Sequence, residues 1–296
     1  MQKLIGLNKH FDELTKLLSA NLFPKVSMIS GKKGIGKFTL IHHILSNYFD
    51  RENYIEKENQ INKNSKLFIS PKETSYLNIM YFSGEDNLIK IDNIRNLRTV
   101  LQKSTIDNQI RFIIFDDIEL FNINCCNALL KIIEEPTIFN NFILINNKNK
   151  PVLETIRSRC IEFKIFANQN ENIQVIEKLI SSNQIECKIN FKKTNLTPGD
   201  FLKFNNICLN DKINYEDGLL KNIDKLFKHY QKKRNYNYLN FAIFLVNQHF
   251  YDRYKNETFK DEFLQDRTEI IKKIVNLNNI NLNTSNIFYQ IEQIVK

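Results

Sequence analysis

Residues 26–39 read Val-Ser-Met-Ile-Ser-Gly-Lys-Lys-Gly-Ile-Gly-Lys-Phe-Thr (VSMISGKKGIGKFT), and this stretch decides the fold. The apolar run VSMIS, set between Pro24 and Gly31, is predicted as a short buried strand. It runs directly into Gly31-Lys-Lys-Gly34-Ile-Gly36-Lys37, which fits the spacing GxxxxGK, and then into a helical pattern, FTLIHHIL. Strand, glycine-rich turn and helix in that order form a phosphate-binding loop. Glycines let backbone N–H groups curl around phosphate oxygens, the helix aims its positive end at the same place, and Lys37 supplies a point charge. The next position should carry Ser or Thr, whose hydroxyl would bind magnesium. Phe38 stands there and has no oxygen. Thr39 is one residue further on and points about 100° away around the helix. The loop is therefore expected to hold ATP or ADP while giving magnesium poor support.

Working outward, residues 8–20 carry Phe11, Leu14, Leu17 and Leu18 at helical spacing, and Pro24 breaks that helix. Residues 50–73 are polar and read as a solvated connection. Residues 74–82 are predicted as a strand, 88–102 as a helix begun at Asp92, and 111–117 (RFIIFDD) as a buried strand ending in two carboxylates. Asp116 is placed to orient a metal or its waters. Asp117 sits where a hydrolytic site would want the longer Glu, and a reach shorter by about 1.5 Å is costly in catalysis. Asn124 is expected to cap the helix that Pro136 stops. Residues 141–147 and 161–165 read as further strands, with a turn or short helix over 155–160.

Strands alternating with helices over residues 1–165 give an α/β class with a parallel sheet and helices on both faces. The strand signal then ends. Residues 170–205 read as short helices around a Pro198-Gly199 turn, and residues 214–296 as longer helices.

The chain has 296 residues, a formal charge of +9 and no apolar run long enough for a membrane span. The charge suits an anionic partner such as nucleic acid. The N-terminus lacks the apolar core of a signal peptide, so a cytoplasmic protein is expected. Cys125, Cys126, Cys160, Cys187 and Cys208 form no CxxC pair. They are expected as buried free thiols, and no zinc is expected.

Three further stretches carry a resemblance. Asn127–Pro136 (NALLKIIEEP) resembles the NALLKxxEEP helix of clamp-loader AAA+ subunits. Ser158-Arg159-Cys160 resembles their SRC motif, and Asn147, eleven residues before Ser158, falls at their sensor-1 position. With LIGLNKHFDEL at residues 4–14, the likeness spans residues 4–165, and residues 281–295 resemble the last collar helix of delta-prime subunits. The resemblance implies a P-loop AAA+ module over 1–165, a small helical lid over 166–210 and an all-α collar over 211–296. It also implies a place in the five-subunit ring of DNA polymerase III that loads a sliding clamp on primer-template DNA. The partners would be gamma/tau-type ATPase subunits and a delta subunit. Arg159 would act across the subunit interface on a neighbour's ATP. Phe38, Asp117, the lack of cysteines in residues 50–85 and the lack of Arg in Leu196–Phe204 match a delta-prime-like stator with little ATPase of its own. Two alternatives stay open on the residues: an ATP-hydrolysing gamma-like subunit, and a non-enzymatic nucleic-acid-binding module.

Overall fold

A computed structural model describes residues 2–69, 78–84, 90–101, 109–256, 261–279 and 283–295. The chain divides into two compact units, Met1–Leu179 with Thr197–Gly199, and Ile180–Leu196 with Asp200–Lys296.

The first unit begins with a two-residue strand β1 (Gln2–Lys3), then helix α1 (Asn8–Ser19), strand β2 (Val26–Ser30) and helix α2 (Lys37–Phe49). After the short strands β3 (Tyr54–Ile55) and β4 (Gln60–Ile61) come β5 (Ile79–Ser83), α3 (Ile91–Leu101), β6 (Arg111–Asp116) and α4 (Ile123–Ile133). Strand β7 (Asn140–Asn146), helix α5 (Glu154–Arg157), strand β8 (Ile161–Lys164) and helix α6 (Gln169–Asn183) follow, the last four residues of α6 belonging to the second unit. The main sheet has five strands in the order β5-β6-β7-β2-β8, every described pair parallel. Strands of such a sheet are covered on both faces and so read as unbroken apolar runs, as β6 and β7 do. Alternate residues go to opposite faces. Phe112, Ile114, Ile143 and Ile145 join α1 and α2 in one core, while Ile113, Phe115, Phe142 and Leu144 join α3 and α4 in the other.

Three local expectations are corrected. The polar segment 50–73 contains two strands, and β1, β4 and β3 form a small antiparallel sheet. Its Tyr54, Ile61 and Leu67 are buried against the core that holds α1 and α2, so a few apolar anchors override the polar composition. The cap of α4 is Asn122, whose side chain accepts from the Cys125 N–H, because Asn122 has the extended backbone that a cap requires. Pro198 opens a helix, α7 (Pro198–Asn210), in place of a turn. Proline is suited to a first helical position, where its missing N–H has no partner to lose. The strand expected at 74–82 is seen as β5, with 74–77 outside the described residues, as are 88, 89 and 102 of the expected helix at 88–102.

The second unit is helical: most of α7, then α8 (Leu219–Lys233), α9 (Asn237–Asn256), α10 (Asp261–Asn279) and α11 (Thr284–Val295). Helix α8 buries Ile223, Leu226, Phe227 and Tyr230 at the spacing of one helical face. It packs on α9 and α11, and α10 packs on both α9 and α11. Asp211 ties this unit internally, accepting from Tyr238 Oη (2.6 Å) and Lys233 Nζ (2.5 Å). No strand occurs after Lys164 among the described residues. No described helix is long and apolar enough to cross a membrane. All five cysteines are free, as expected; Cys125, Cys126 and Cys208 are buried, but Cys187 is exposed because it lies in a loop of the second unit.

Candidate functional site: a phosphate loop beside two locked carboxylates

The loop between β2 and α2 has the backbone its sequence requires. Gly34 and Gly36 have φ of 84° and 98°, a region that side chains with a Cβ avoid. A Cβ on Gly31 would run into the Ile165 carbonyl and lie 2.6 Å from Ile35 Cδ1. The Gly34 carbonyl accepts from the Gly199 N–H at 2.8 Å. Gly36 then serves as the N-cap of α2 without any side-chain cap, leaving the first N–H groups of the helix directed at the loop.

Lys37 is buried at the start of α2, and its Nζ donates to the carbonyls of Gly31 (2.7 Å) and Lys32 (2.9 Å). Burial pushes the ammonium down to about 8, against the partial compensation of Asp116, Glu119 and Asp117 nearby. A phosphate at the loop would supply the missing countercharge. Phe38 is half-buried and sets its ring edge-on to Tyr81, centroids 5.3 Å apart. Thr39 is exposed and turned to solvent, as its helical offset requires.

Asp116 ends β6, and Asp117 follows with φ 53°, a left-handed conformation that turns the chain sharply out of the sheet. The turn brings both carboxylates against Asn147, which follows β7. Asn147 Nδ2 donates to Asp117 Oδ1 (2.7 Å) and Asp116 Oδ1 (3.4 Å). Asp116 Oδ1 also accepts the Asp117 N–H at 3.0 Å, and Asp116 Oδ2 accepts the Tyr81 hydroxyl at 2.8 Å. Lys33 reaches Asp117 at 3.5 Å. Gly31, Gly34, Gly36 and Lys37 thus form one cradle, and Asp116, Asp117 and Asn147 form a hydrogen-bonded group beside it.

Two members of this site were not singled out from sequence. Tyr81 lies within a strand-forming run, where an aromatic reads as core. Glu119 follows the strand as one more acid, a residue type that is ordinarily solvated there. In the structure its carboxylate is buried and accepts the N–H groups of Asn147 (3.1 Å) and Asn149 (3.4 Å), which fixes the loop that carries Asn147. Burial raises its pKa, and those backbone donors offset part of the rise.

The residues present fit the phosphates of a nucleotide and do not fit a magnesium ion held in the usual way. The glycine cradle has its left-handed turns and an amine at its rim. The first residue after Lys37 offers a phenyl ring where the ion needs a hard oxygen.

Arg159 is not joined to this loop by any hydrogen bond or ion pair among the described residues. It sits just past α5, half-exposed. Its Nε donates to Glu134 Oε1 at 3.0 Å, its Nη2 to the same oxygen, and its Nη1 to the Thr155 carbonyl at 2.9 Å. Cys160 Sγ donates to the Ile156 carbonyl (3.1 Å), pinning the turn that presents Arg159. Elsewhere on this unit, Arg95, Arg98 and Lys131 line a cleft between α3 and α4, with Asn124 and Asn127 at its side.

Residues 6–169 match the family described as DNA polymerase III, delta subunit. A DNA polymerase III subunit delta' of Buchnera aphidicola is 29 % identical over 165 residues, covering 46 % of this chain and 49 % of that protein. A subunit of the same name from Pseudomonas aeruginosa is 26 % identical over 136 residues, covering 46 % of this chain and 41 % of that one. The chain thus spans about half the length, or less, of these curated relatives. A DNA polymerase III gamma subunit-related protein of Thermotoga maritima shares the fold, with a TM-score of 0.51 at 16 % identity over 97 % of this chain and 99 % of that one.

Proposed function

The chain belongs to the DNA polymerase III delta-subunit family, and we propose that it serves there as a delta-prime-like stator of the clamp-loader ring. In this reading Gly31, Gly34, Gly36 and Lys37 hold the phosphates of ATP or ADP. Asn147 relates that site to Asp116 and Asp117, and hydrolysis is left to neighbouring gamma/tau-type subunits. Arg159 is the arginine finger offered to such a neighbour. Residues 166–210 are the lid and residues 211–296 the collar that holds the ring together. The ring, with a delta subunit, would load a sliding clamp on primer-template DNA in the cytoplasm, and the basic cleft of Arg95, Arg98 and Lys131 suits phosphates of that DNA.

The observation that carries the reading is the side chain at position 38. An intact cradle followed by Phe38, half-buried on Tyr81, supports binding without turnover. A half-exposed Arg159 tethered to Glu134 supports a charge available to a partner. Arginines that reach a neighbour's phosphoryl group are worth about 10³–10⁵ in rate in well-studied cases.

The test is a reconstituted ring containing Arg159→Ala. Its ATPase and clamp loading are expected to fall at least about tenfold, with the chain's own melting temperature nearly unchanged, since exposed ion pairs contribute under about 1 kcal/mol. Unchanged clamp loading rejects the finger. Metal-dependent ATPase by the isolated chain near about 1 per second, an ordinary enzyme rate, would instead favour the gamma-like alternative.

A further inference from the structure

A phosphate loop without a metal-binding hydroxyl still has the carboxylate that would face the metal. Asp116 is that carboxylate, and in this chain both of its oxygens already accept hydrogen bonds. Tyr81 on β5 pairs in register with Ile114 on β6, two residues before Asp116. Residues two apart on a strand share a face, so the long phenol side chain reaches along that face to Asp116 Oδ2 at 2.8 Å. The other oxygen takes the Asp117 N–H at 3.0 Å and Asn147 Nδ2 at 3.4 Å. Asp117 in turn holds Asn147 at 2.7 Å and Lys33 at 3.5 Å.

Phe38 completes the arrangement. Its ring meets the Tyr81 ring edge-on at 5.3 Å and 79°, a favourable aromatic geometry. The residue that stands where a metal-binding hydroxyl would be on α2 therefore also steadies the phenol that hydrogen-bonds Asp116. Magnesium demands near-octahedral oxygen ligands and releases its waters reluctantly. A ring at position 38 and a carboxylate already accepting an O–H offer it neither. The phenol is a durable donor, because burial and then the adjacent Asp116 carboxylate hold its proton far above the ordinary phenol range.

We propose that Tyr81 takes the place of the divalent cation at Asp116, so that this loop binds nucleotide independently of magnesium, through backbone N–H groups and Lys37 alone. The inference rests on the reading that Gly31–Lys37 holds a nucleotide. Tyr81 is a positioning residue here: it acts through its hydrogen bond to Asp116.

The experiment measures binding of a fluorescent ADP or ATP analogue to the full chain in magnesium chloride and in EDTA, with manganese paramagnetic resonance to count bound metal. The wild-type affinity is expected to agree within about twofold between the two conditions, with no manganese held in the nucleotide complex. Phe38→Ser combined with Tyr81→Phe restores an oxygen and releases Asp116. That variant is expected to bind at least about tenfold more tightly with magnesium and to take up one manganese per nucleotide. Tyr81→Phe alone removes a single oxygen atom and keeps the ring, so it covers the case in which the double variant does not fold; it is expected to gain detectable manganese binding. A wild-type chain that tightens about tenfold with magnesium overturns the proposal, as does a folded double variant indifferent to it. Absence of nucleotide binding by folded wild-type chain also overturns it. The Arg159 test in the ring reads a different residue in a different site, so the stator reading can stand or fall separately.

Discussion

Lys37 is where burial and charge compete most directly. The residue is 3 % exposed, its ammonium rests on two carbonyls, and burial lowers its pKa from 10.5 to about 8. A group that binds its proton less tightly when folded costs stability while it is charged. Below about 8 the folded chain carries that full cost. Between about 8 and 10.5 the unfolded chain holds more protons than the folded one, so stability rises with pH across that window. The shift corresponds to roughly 3 kcal/mol at most. Other groups titrate there too, so the measurement is the difference between wild type and Lys37→Met in denaturant midpoints at pH 7.5 and 10. The wild type is expected to gain on the variant as pH rises, and a constant difference rejects the assignment. In the proposed nucleotide site, a bound phosphate would reverse the balance by returning a countercharge to Lys37. Nucleotide affinity is therefore expected to fall toward tenfold per pH unit above about 8, accompanied by proton uptake in calorimetry. The residues of this cradle were legible because the spacing of glycines and one lysine is set by backbone geometry that few other residue types satisfy. Tyr81 was not legible. Its part depends on strand β5 lying beside β6, a long-range fact that an aromatic in an apolar run does not reveal. Glu119 was hidden for the same reason, since the N–H groups it accepts come from residues 28 and 30 positions later.

The elements were readable in kind and less so at their ends. Helix α4 shows why. Asn122 and Asn124 both stand near its start, and the apolar pattern tolerates either as the cap. The choice is made by backbone: Asn122 is extended at φ −69° and ψ 160°, and its side chain takes the Cys125 N–H at 2.9 Å. Asn124 lies inside the first turn and is exposed. Asn122→Ala is expected to cost about 1 kcal/mol, a drop of about 2–4 °C in melting temperature for a unit of this size. Asn124→Ala is expected to stay within about 0.5 kcal/mol. Thermal melts of the two variants decide the matter, and a larger loss from Asn124→Ala would return the cap to that residue. The small antiparallel sheet of β1, β4 and β3 escaped notice on similar grounds. Its strands are two residues each, too short for any period to register, and their placement comes from Tyr54 stacking on Phe11 and meeting His43 across α2.

For the whole molecule, the division into an α/β unit and a helical unit follows from where strand-forming runs stop, after Lys164 among the described residues. What the helical unit is for is a separate matter of surface. Helices α8, α9, α10 and α11 bury Ile223, Leu226, Phe241, Val246, Ile270, Ile274 and Ile291, which is enough to hold them to one another. Yet Leu264 and Val275 on α10 are 49 % and 43 % exposed. Eleven residues make about three helical turns, so these two side chains stand on one face of α10. Scattered apolar residues are common on any surface, so the pair gains meaning only from the collar reading, in which this unit meets neighbouring subunits. Leu264→Lys with Val275→Lys removes apolar contact without disturbing the core. If the collar is the ring's holding surface, the variant keeps its circular dichroism and melts within about 1–2 °C of wild type, as exposed substitutions do, but no longer co-elutes with gamma/tau-type subunits in size-exclusion chromatography. Co-elution at wild-type strength would place the contact elsewhere, either on another helix of this unit or on the α/β unit that carries Arg159. A chain carrying Arg159→Ala should still co-elute while failing to support ATPase, because its side chain is proposed to act on a phosphate and not to hold the ring together. The two variants therefore separate assembly from catalysis in trans.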